Sequence, residues 1–229
     1  MASWMVHLRI ADRLFDVISE LSYQDFIVGN LAPDSGVPNE DWSVFTPPVS
    51  VSHFQNAALR IGKKIDISAF TGKYFTEKLQ ESYTREEYSF YLGYLTHLLT
   101  DILWADTIFT PTMARFSDQG DAKRKRAIEK VKADWYDLDF LFLRKHPHFR
   151  AFQVYLGSVG YNNHFMEEFS ANAFENRRKY ITEFYLEENP NLDREFPYLT
   201  EAEMDAFVET GASMIQKRLL KTYMISRRQ

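Results

Sequence analysis

The chain has 229 residues and no cysteine, with 27 Lys and Arg against 32 Asp and Glu for a net charge of −5. That balance excludes a global positive field able to hold duplex nucleic acid. Without a thiol there are no disulfides, thiolate zinc sites or cysteine nucleophiles, so any metal site must be built from His, Asp and Glu.

Glycine and proline are sparse (Gly 9, Pro 8), which favours long helices over a turn-rich β architecture. Trp4, His7, Leu8, Ala11, Leu14, Phe15 and Ile18 recur at helical spacing, with Arg9, Asp12, Arg13 and Asp16 between them. This predicts an amphipathic helix with a histidine on its inner face. The opening MASWMVHLRIADRL lacks the basic stretch, apolar run and cleavage site of a secretory signal, so the expected location is cytoplasmic. From Gly29 to Ser52, Pro33, Gly36, Pro38, Pro47 and Pro48 exclude any long regular element. Trp42, Val44 and Phe45 predict that this loop, near residues 30–52, is ordered and docked on the body.

Further helices are predicted over 66–81, 84–108, 119–143, 148–159, 162–187 and 200–224, with breaks at Pro111, Gly120, Pro147, Gly160, Pro190 and Pro197. Thr200 and Glu203 form a capping-box pattern. Residues 88–105 are long and apolar enough to raise the question of a membrane span. His97, Asp101, Thr96 and Thr100 would then lie in lipid without partners, so a buried central helix is predicted and no transmembrane segment. No repeat or linker divides the chain. The expected architecture is therefore all-α, a single domain over residues 1–229, built as a multi-helix bundle around that central helix.

His97 and Asp101 are four residues apart and share one helix face with Phe90, Gly93, Tyr94 and Trp104. A carboxylate in such a stripe is costly unless a cation or a hydrogen-bond network compensates. Gly93, one turn earlier, leaves room for another element to approach. Two readings stay open: a metal-binding pair, or a His–Asp pair satisfied within the core. His7 alone reads as a hydrogen-bonded core histidine. Taken as a set, His7, Asp34, His53, His97 and Asp101 offer three imidazoles and two carboxylates, suited to Zn²⁺ and related divalent ions. The donors suffice for two ions if Asp101 bridges. Two ions about 3.5–4 Å apart can bind a phosphate ester and activate a water, which points to a phosphodiesterase-type hydrolase.

At these residues the sequence resembles the zinc-dependent phospholipase C family, whose fold is shared by fungal single-strand nucleases. The likeness is carried, over roughly the first 110 residues, by WMVHLRIAD, FIVGNLAPDSG, the SHF triplet and GYLTHLLTD in that order. It implies an α-helical fold with a polynuclear metal centre and ligand roles for His7, Asp34, His53, His97 and Asp101. Asp34 would also handle the proton of the attacking water. Secreted members carry a further histidine after the His-xxx-Asp pair, where this chain reads DILWADTIF with Asp106 and Thr107, so a full three-metal centre is not expected.

Several other residues have two readings each. His164 and Glu168 could supply replacement ligands, or His164 is an exposed or capping histidine. Asp134, Asp137 and Asp139 could complete a metal shell or orient a ligand, or be solvated or paired with Arg144 or Lys145. His146 and His148 read as exposed turn residues. Lys123, Arg124, Lys125, Arg126, Lys130 and Lys132 read as a solvated helix face, with an anionic substrate or phosphate-rich headgroup as the second possibility.

The expected function is a metal-dependent hydrolase of phosphate esters using a metal-activated water. Its partner would be a small phosphate-ester substrate or a phospholipid headgroup, with Trp42, Phe45 and Tyr94 against the organic portion. The alternative is a metal-binding helical protein without turnover, in a structural or sensor role. The HD-type phosphohydrolases need an adjacent His-Asp dipeptide, which this chain lacks.

Overall fold

The computed structural model describes residues 1–41, 43–60, 62–116 and 121–224, the side chains of 121–124 excepted. Trp42 of the predicted docked loop and the break at Gly120 lie outside the described residues, as do the side chains of Lys123 and Arg124.

Ser3 opens α1 (Trp4–Phe15), its hydroxyl accepting from the Val6 N–H. Met5, Val6, His7, Leu8, Ile10, Ala11 and Leu14 are buried. Arg9, expected on the polar face, is mostly buried too: its guanidinium stacks 4.1 Å from the Phe142 ring centroid and pairs with Asp205.

A helix that the sequence pattern does not announce follows, α2 (Tyr23–Leu31). Every residue from Asp25 to Leu31 is buried, so no alternation of polar and apolar faces marks it. It lies along α6 (Arg85–Trp104), the central helix, which is buried without interruption from Tyr88 to Asp101. Two glycines permit this crossing. A Cβ on Gly93 would stand 2.2 Å from the Phe26 carbonyl oxygen, and one on Gly29 would stand 2.1 Å from that of Phe90. A capping box starts α6: the Thr84 hydroxyl accepts from the Glu87 N–H, and Glu87 Oε2 accepts from the Thr84 N–H at 2.8 Å.

The proline-rich segment that follows α2 is an ordered chain of short pieces. It comprises a 3₁₀ turn at Ala32–Asp34, an antiparallel pair of β1 (Val37–Pro38) and β2 (Phe45–Thr46), and α3 (Val49–Ser52). Phe45 is partly buried, whereas Val44, expected to dock, is 57% exposed.

The single helix predicted over 66–81 is two, α4 (Ile67–Tyr74) and α5 (Glu77–Ser82), because Thr76 caps a new start by accepting from Leu79 N–H. After α6 the chain widens into a π turn, Ala105–Phe109, and continues as α7 (Thr110–Ala114). Pro111 is tolerated in its first turn, where no intrahelical N–H bond is lost. Next come α8 (Asp121–Lys145) and α9 (Arg150–Gly157). The helix predicted over 162–187 is shorter, α10 (Ala173–Leu186). Asn163 holds the preceding loop: its amide donates to the carbonyls of Met166 and Phe169 (2.6 and 2.8 Å), and its oxygen accepts from the N–H groups of Phe165 and Met166. The expected capping box at Thr200 and Glu203 starts α11 (Glu201–Arg218), which ends in a second π turn.

The fold is all-α around a buried central helix, as the sequence predicts. Among the described residues, no helix is long and apolar enough to cross a membrane.

Candidate metal centre

The crossing of α1, α2 and α6 brings together five side chains from separate parts of the sequence. His7 comes from α1, and His97 and Asp101 from successive turns of α6. Asp34 ends the 3₁₀ turn beyond α2, and His53 follows α3. All five are buried; His7, His97 and Asp101 are 0% exposed. His7, His97 and Asp101 each place a ligand atom within 4.8 Å of the others, and so do Asp34, His53 and His97.

The rings of His7 and His97 stack at 3.8 Å with an interplanar angle of 4°. His7 Nε2 lies 3.5 Å from Asp101 Oδ1, and neither ring nitrogen of His7 has a hydrogen-bond partner. The core reading, a histidine satisfied by hydrogen bonds, therefore does not describe His7. His53 Nε2 lies 3.3 Å from both Asp34 Oδ1 and His97 Nε2, and 3.7 Å from Asp101 Oδ2.

The neighbours fix which atoms face the centre. His97 Nδ1–H donates to the Asn30 carbonyl at 2.8 Å, which leaves the Nε2 lone pair directed at His53. His53 Nδ1 lies 2.9 Å from Ser52 Oγ, a hydroxyl that can either donate or accept. Tyr94, expected to line a substrate pocket, is fully buried and instead donates its hydroxyl to the Ser52 carbonyl, steadying the residue before His53. Trp4 Nε1–H donates to Asp34 Oδ2 at 2.9 Å, leaving Oδ1 without a donor. Asp101 Oδ1 accepts from the Ala2 N–H at 3.0 Å, and Oδ2 from Lys63 Nζ at 2.9 Å.

Burial by itself would raise the carboxyl pKa values. For Asp34 it is overcome by the His53 contact and by the surrounding imidazoles, which hold the group well below the usual carboxylate range. For Asp101 the Lys63 ammonium leads the opposition, with the same result. Burial drives His97 well below its ordinary value, so it is a neutral imidazole, the form in which histidine ligates metal.

The donor set fits a divalent cation. Two buried carboxylates face the Lys63 ammonium, and the N-terminal amine beside Asp101, whose pKa burial lowers to about 6, adds only part of a charge, so the cluster retains negative charge at neutral pH. Three of its donor atoms, His7 Nδ1, His7 Nε2 and Asp34 Oδ1, are buried without partners. Each such orphan costs about 1–3 kcal/mol if left unsatisfied. Lys63 already places a positive charge at Asp101 Oδ2, and nitrogen with carboxylate oxygen is a ligand chemistry that zinc accepts.

The remaining sequence candidates lie elsewhere. His164 is exposed in the Asn163 loop, and Glu168 accepts from Tyr74 and Lys73; neither stands on the helix expected there, nor in either donor group. Asp134 and Asp137 pair with Arg194, both at 2.6 Å, rather than with Arg144 or Lys145, which bind Asp193 and Glu201. Asp139 accepts from Ser3 Oγ at 2.8 Å and from the Tyr185 hydroxyl at 2.6 Å, tying the start of α1 to α8 and α10. Asp106, Thr107, His146 and His148 are exposed.

Sequence reasoning missed Trp4, Asn30 and Lys63. Trp4 was readable only as the first core position of α1, and Lys63 as one of two adjacent lysines in a turn.

Two clefts reach the cluster from outside. One, of about 320 Å³, runs past Phe45, Tyr136 and Arg177 to Asp34 and His53. The other, of about 270 Å³, lies between Lys63 and Lys132 and meets the first at Trp4 and Asp34. A larger apolar cavity of about 360 Å³ sits between the π turn after α6 and α11, and none of the five donors lines it.

Residues 6–111, somewhat under half of the chain, match the family model described as zinc dependent phospholipase C. That span holds all five clustered side chains. No curated protein and no solved structure gives a match. The family match and the His/Asp clusters together point to a zinc phosphoesterase.

Proposed function

We propose that this chain hydrolyses phosphate esters at a zinc centre held by His7, Asp34, His53, His97 and Asp101, with residues 1–229 acting as one domain. One observation carries the proposal: the donors are buried, yet open clefts lead to Asp34 and His53. A purely structural metal site closes around its ion, whereas a hydrolytic one keeps a side open to water and substrate.

Two zinc ions would divide the two donor groups between them, the one free nitrogen of His97, Nε2, serving one ion, with the carboxylate of Asp101 facing both. Its Oδ1 lies on the His7 side, and its Oδ2 lies 3.7 Å from His53 and 4.0 Å from His97. Bound divalent ions would supply Lewis acidity toward a phosphate oxygen and a lowered pKa for a water at the centre. The protein's own groups do the rest. Asn30 and Ser52 orient the imidazoles, and Trp4 holds Asp34 by one oxygen. The Asp34 carboxylate, at the cleft, is assigned the proton of the attacking water. Phe45 and Tyr136 line the space for the organic portion of a phosphodiester, phosphomonoester or phospholipid headgroup.

The test is hydrolysis of bis(4-nitrophenyl) phosphate and 4-nitrophenyl phosphate by zinc-reconstituted protein. Turnover should be lost on chelation, restored by zinc, and reduced at least 10³-fold in Asp101→Ala, about 4 kcal/mol of barrier. Bound zinc without turnover across a broad ester panel would favour the non-catalytic metal-binding alternative.

A further inference from the structure

The walls of the cleft carry information that the donor cluster does not. Resting on the phosphoesterase reading, we infer that the site selects phosphate esters whose organic portion bears a second negative charge, and that Lys132 is the residue that reads it.

Lys132 stands on α8 and Arg177 on α10, both outside the span that matches the family model. Lys132 lines both clefts that reach Asp34, and Arg177 lines the larger of them. Lys132 is exposed, and among the described residues no carboxylate pairs with it or with Arg177. Arg177 is buried; its Nη2 donates to the Gly36 carbonyl at 2.7 Å, and its guanidinium faces the Tyr180 ring at 5.3 Å. Its charge is thus positioned but not neutralised. Between these cations the walls are aromatic, from Trp4, Phe45 and Tyr136.

Asp34 is the one carboxylate among the described residues that line the two clefts, and it belongs to the metal cluster. A substrate with a cationic end would therefore meet two like charges and no counter-charge. One ending in phosphate or carboxylate would meet Lys132, and the low-dielectric walls strengthen that attraction relative to water. The basic patch on α8 is divided in this way: Lys125 and Lys130 are exposed and line neither cleft, whereas Lys132, about one helical turn before Trp135, is turned to the site.

The source of such a group can be an anionic lipid headgroup or a small soluble bisphosphate. The shared chemistry is the second anion.

The experiment titrates the zinc-loaded full chain calorimetrically with three phosphonates of matched length, phosphonopropionate, propylphosphonate and aminoethylphosphonate, whose far ends are anionic, neutral and cationic. No turnover is required. The expected order is anionic tighter than neutral by about tenfold, with the cationic compound weakest. Lys132→Gln should remove the anionic preference while leaving propylphosphonate binding and zinc content unchanged, and Lys132→Glu should reverse the order. Lys132 is a surface position, so both variants are expected to fold. Equal affinity for the three compounds, or an unchanged order in Lys132→Gln, would overturn this inference and leave the phosphoesterase reading standing. No binding of any of them by zinc-loaded protein would overturn both. Turnover of glycerol bisphosphate against phosphatidylinositol phosphate in mixed micelles then assigns the source, Lys132→Glu lowering whichever activity is present. Faster turnover of a lipid with a cationic headgroup would contradict the assignment.

Discussion

The indole N–H of Trp4 donates to Oδ2 of Asp34 across 2.9 Å, so the first helix and the turn beyond α2 are joined at the mouth of the donor cluster. The Trp4 ring also packs edge-on against Tyr180, Phe184 and Tyr185, which fixes the direction of that N–H. Trp4→Phe keeps most of the packing and removes the donor. It should cost about 1.5–3 kcal/mol in urea unfolding, as expected for a hydrogen bond to a charged group, and weaken zinc affinity about 10-fold to 100-fold in chelator competition. Wild-type zinc affinity in this variant would mean that Asp34 needs no orientation.

The α2–α6 crossing depends on absent side chains. In Gly93→Ala the new methyl would meet the Phe26 carbonyl at 2.2 Å and the Asn30 N–H nitrogen at 2.8 Å, both backbone atoms that move only with the helix. Separating the helices should cost about 3 kcal/mol and shift the Asn30 carbonyl away from His97. In α4, a methyl added to Gly72 would meet nothing within 4 Å, so Gly72→Ala should raise stability by up to about 1 kcal/mol. Denaturant midpoints of the two variants measure the contrast.

Asp139 gives the fold a pH dependence away from the metal cluster. Burial pushes its carboxyl up to about 7, against the Tyr185 and Ser3 hydrogen bonds and the Arg9 charge, which act the other way. The folded chain thus binds a proton that the unfolded chain releases near the ordinary value of 3.8. The stabilisation is complete below that value and is lost as pH rises through about 7. Asp139→Asn stays neutral throughout, so its stability relative to wild type should improve between pH 4 and pH 8 by a few kcal/mol, on the order of 4 at most. A constant difference across that range in paired urea titrations would refute the assignment.

Lys63 is the side-chain cation that pairs with Asp101. Removing it in Lys63→Gln leaves a buried carboxylate with less compensation. The metal-free protein should lose about 2–3 kcal/mol, the lower end of the cost of breaking a buried pair because the lysine side chain is 24% exposed. Added zinc should restore more stability to this variant than to wild type, since ion and ammonium answer the same charge. Thermal melts with and without zinc read both effects.

How far the sequence discloses this molecule depends on how local each signal is. The His97–Asp101 pair and the capping box at Thr200 are set by spacing within one helix, and both are visible in the chain. The α2 helix is hidden because both of its faces are buried and its Gly29-Asn30 step reads as a breaker. Asn163 replaces helical bonds with side-chain bonds, so a stretch with helical periodicity folds as a loop. Lys132 shows its cleft-facing position only once α8 is laid beside the Asp34 turn, and no spacing rule relates residues so far apart.

The central claim is that the five side chains hold zinc together, with His97 common to both donor groups. The most direct measurement is zinc content by elemental analysis after reconstitution and exhaustive dialysis, for wild type, His97→Ala and the exposed-site control His164→Ala. Wild type and His164→Ala should retain the same zinc, and His97→Ala should retain little or none. Full zinc content in His97→Ala would contradict the account.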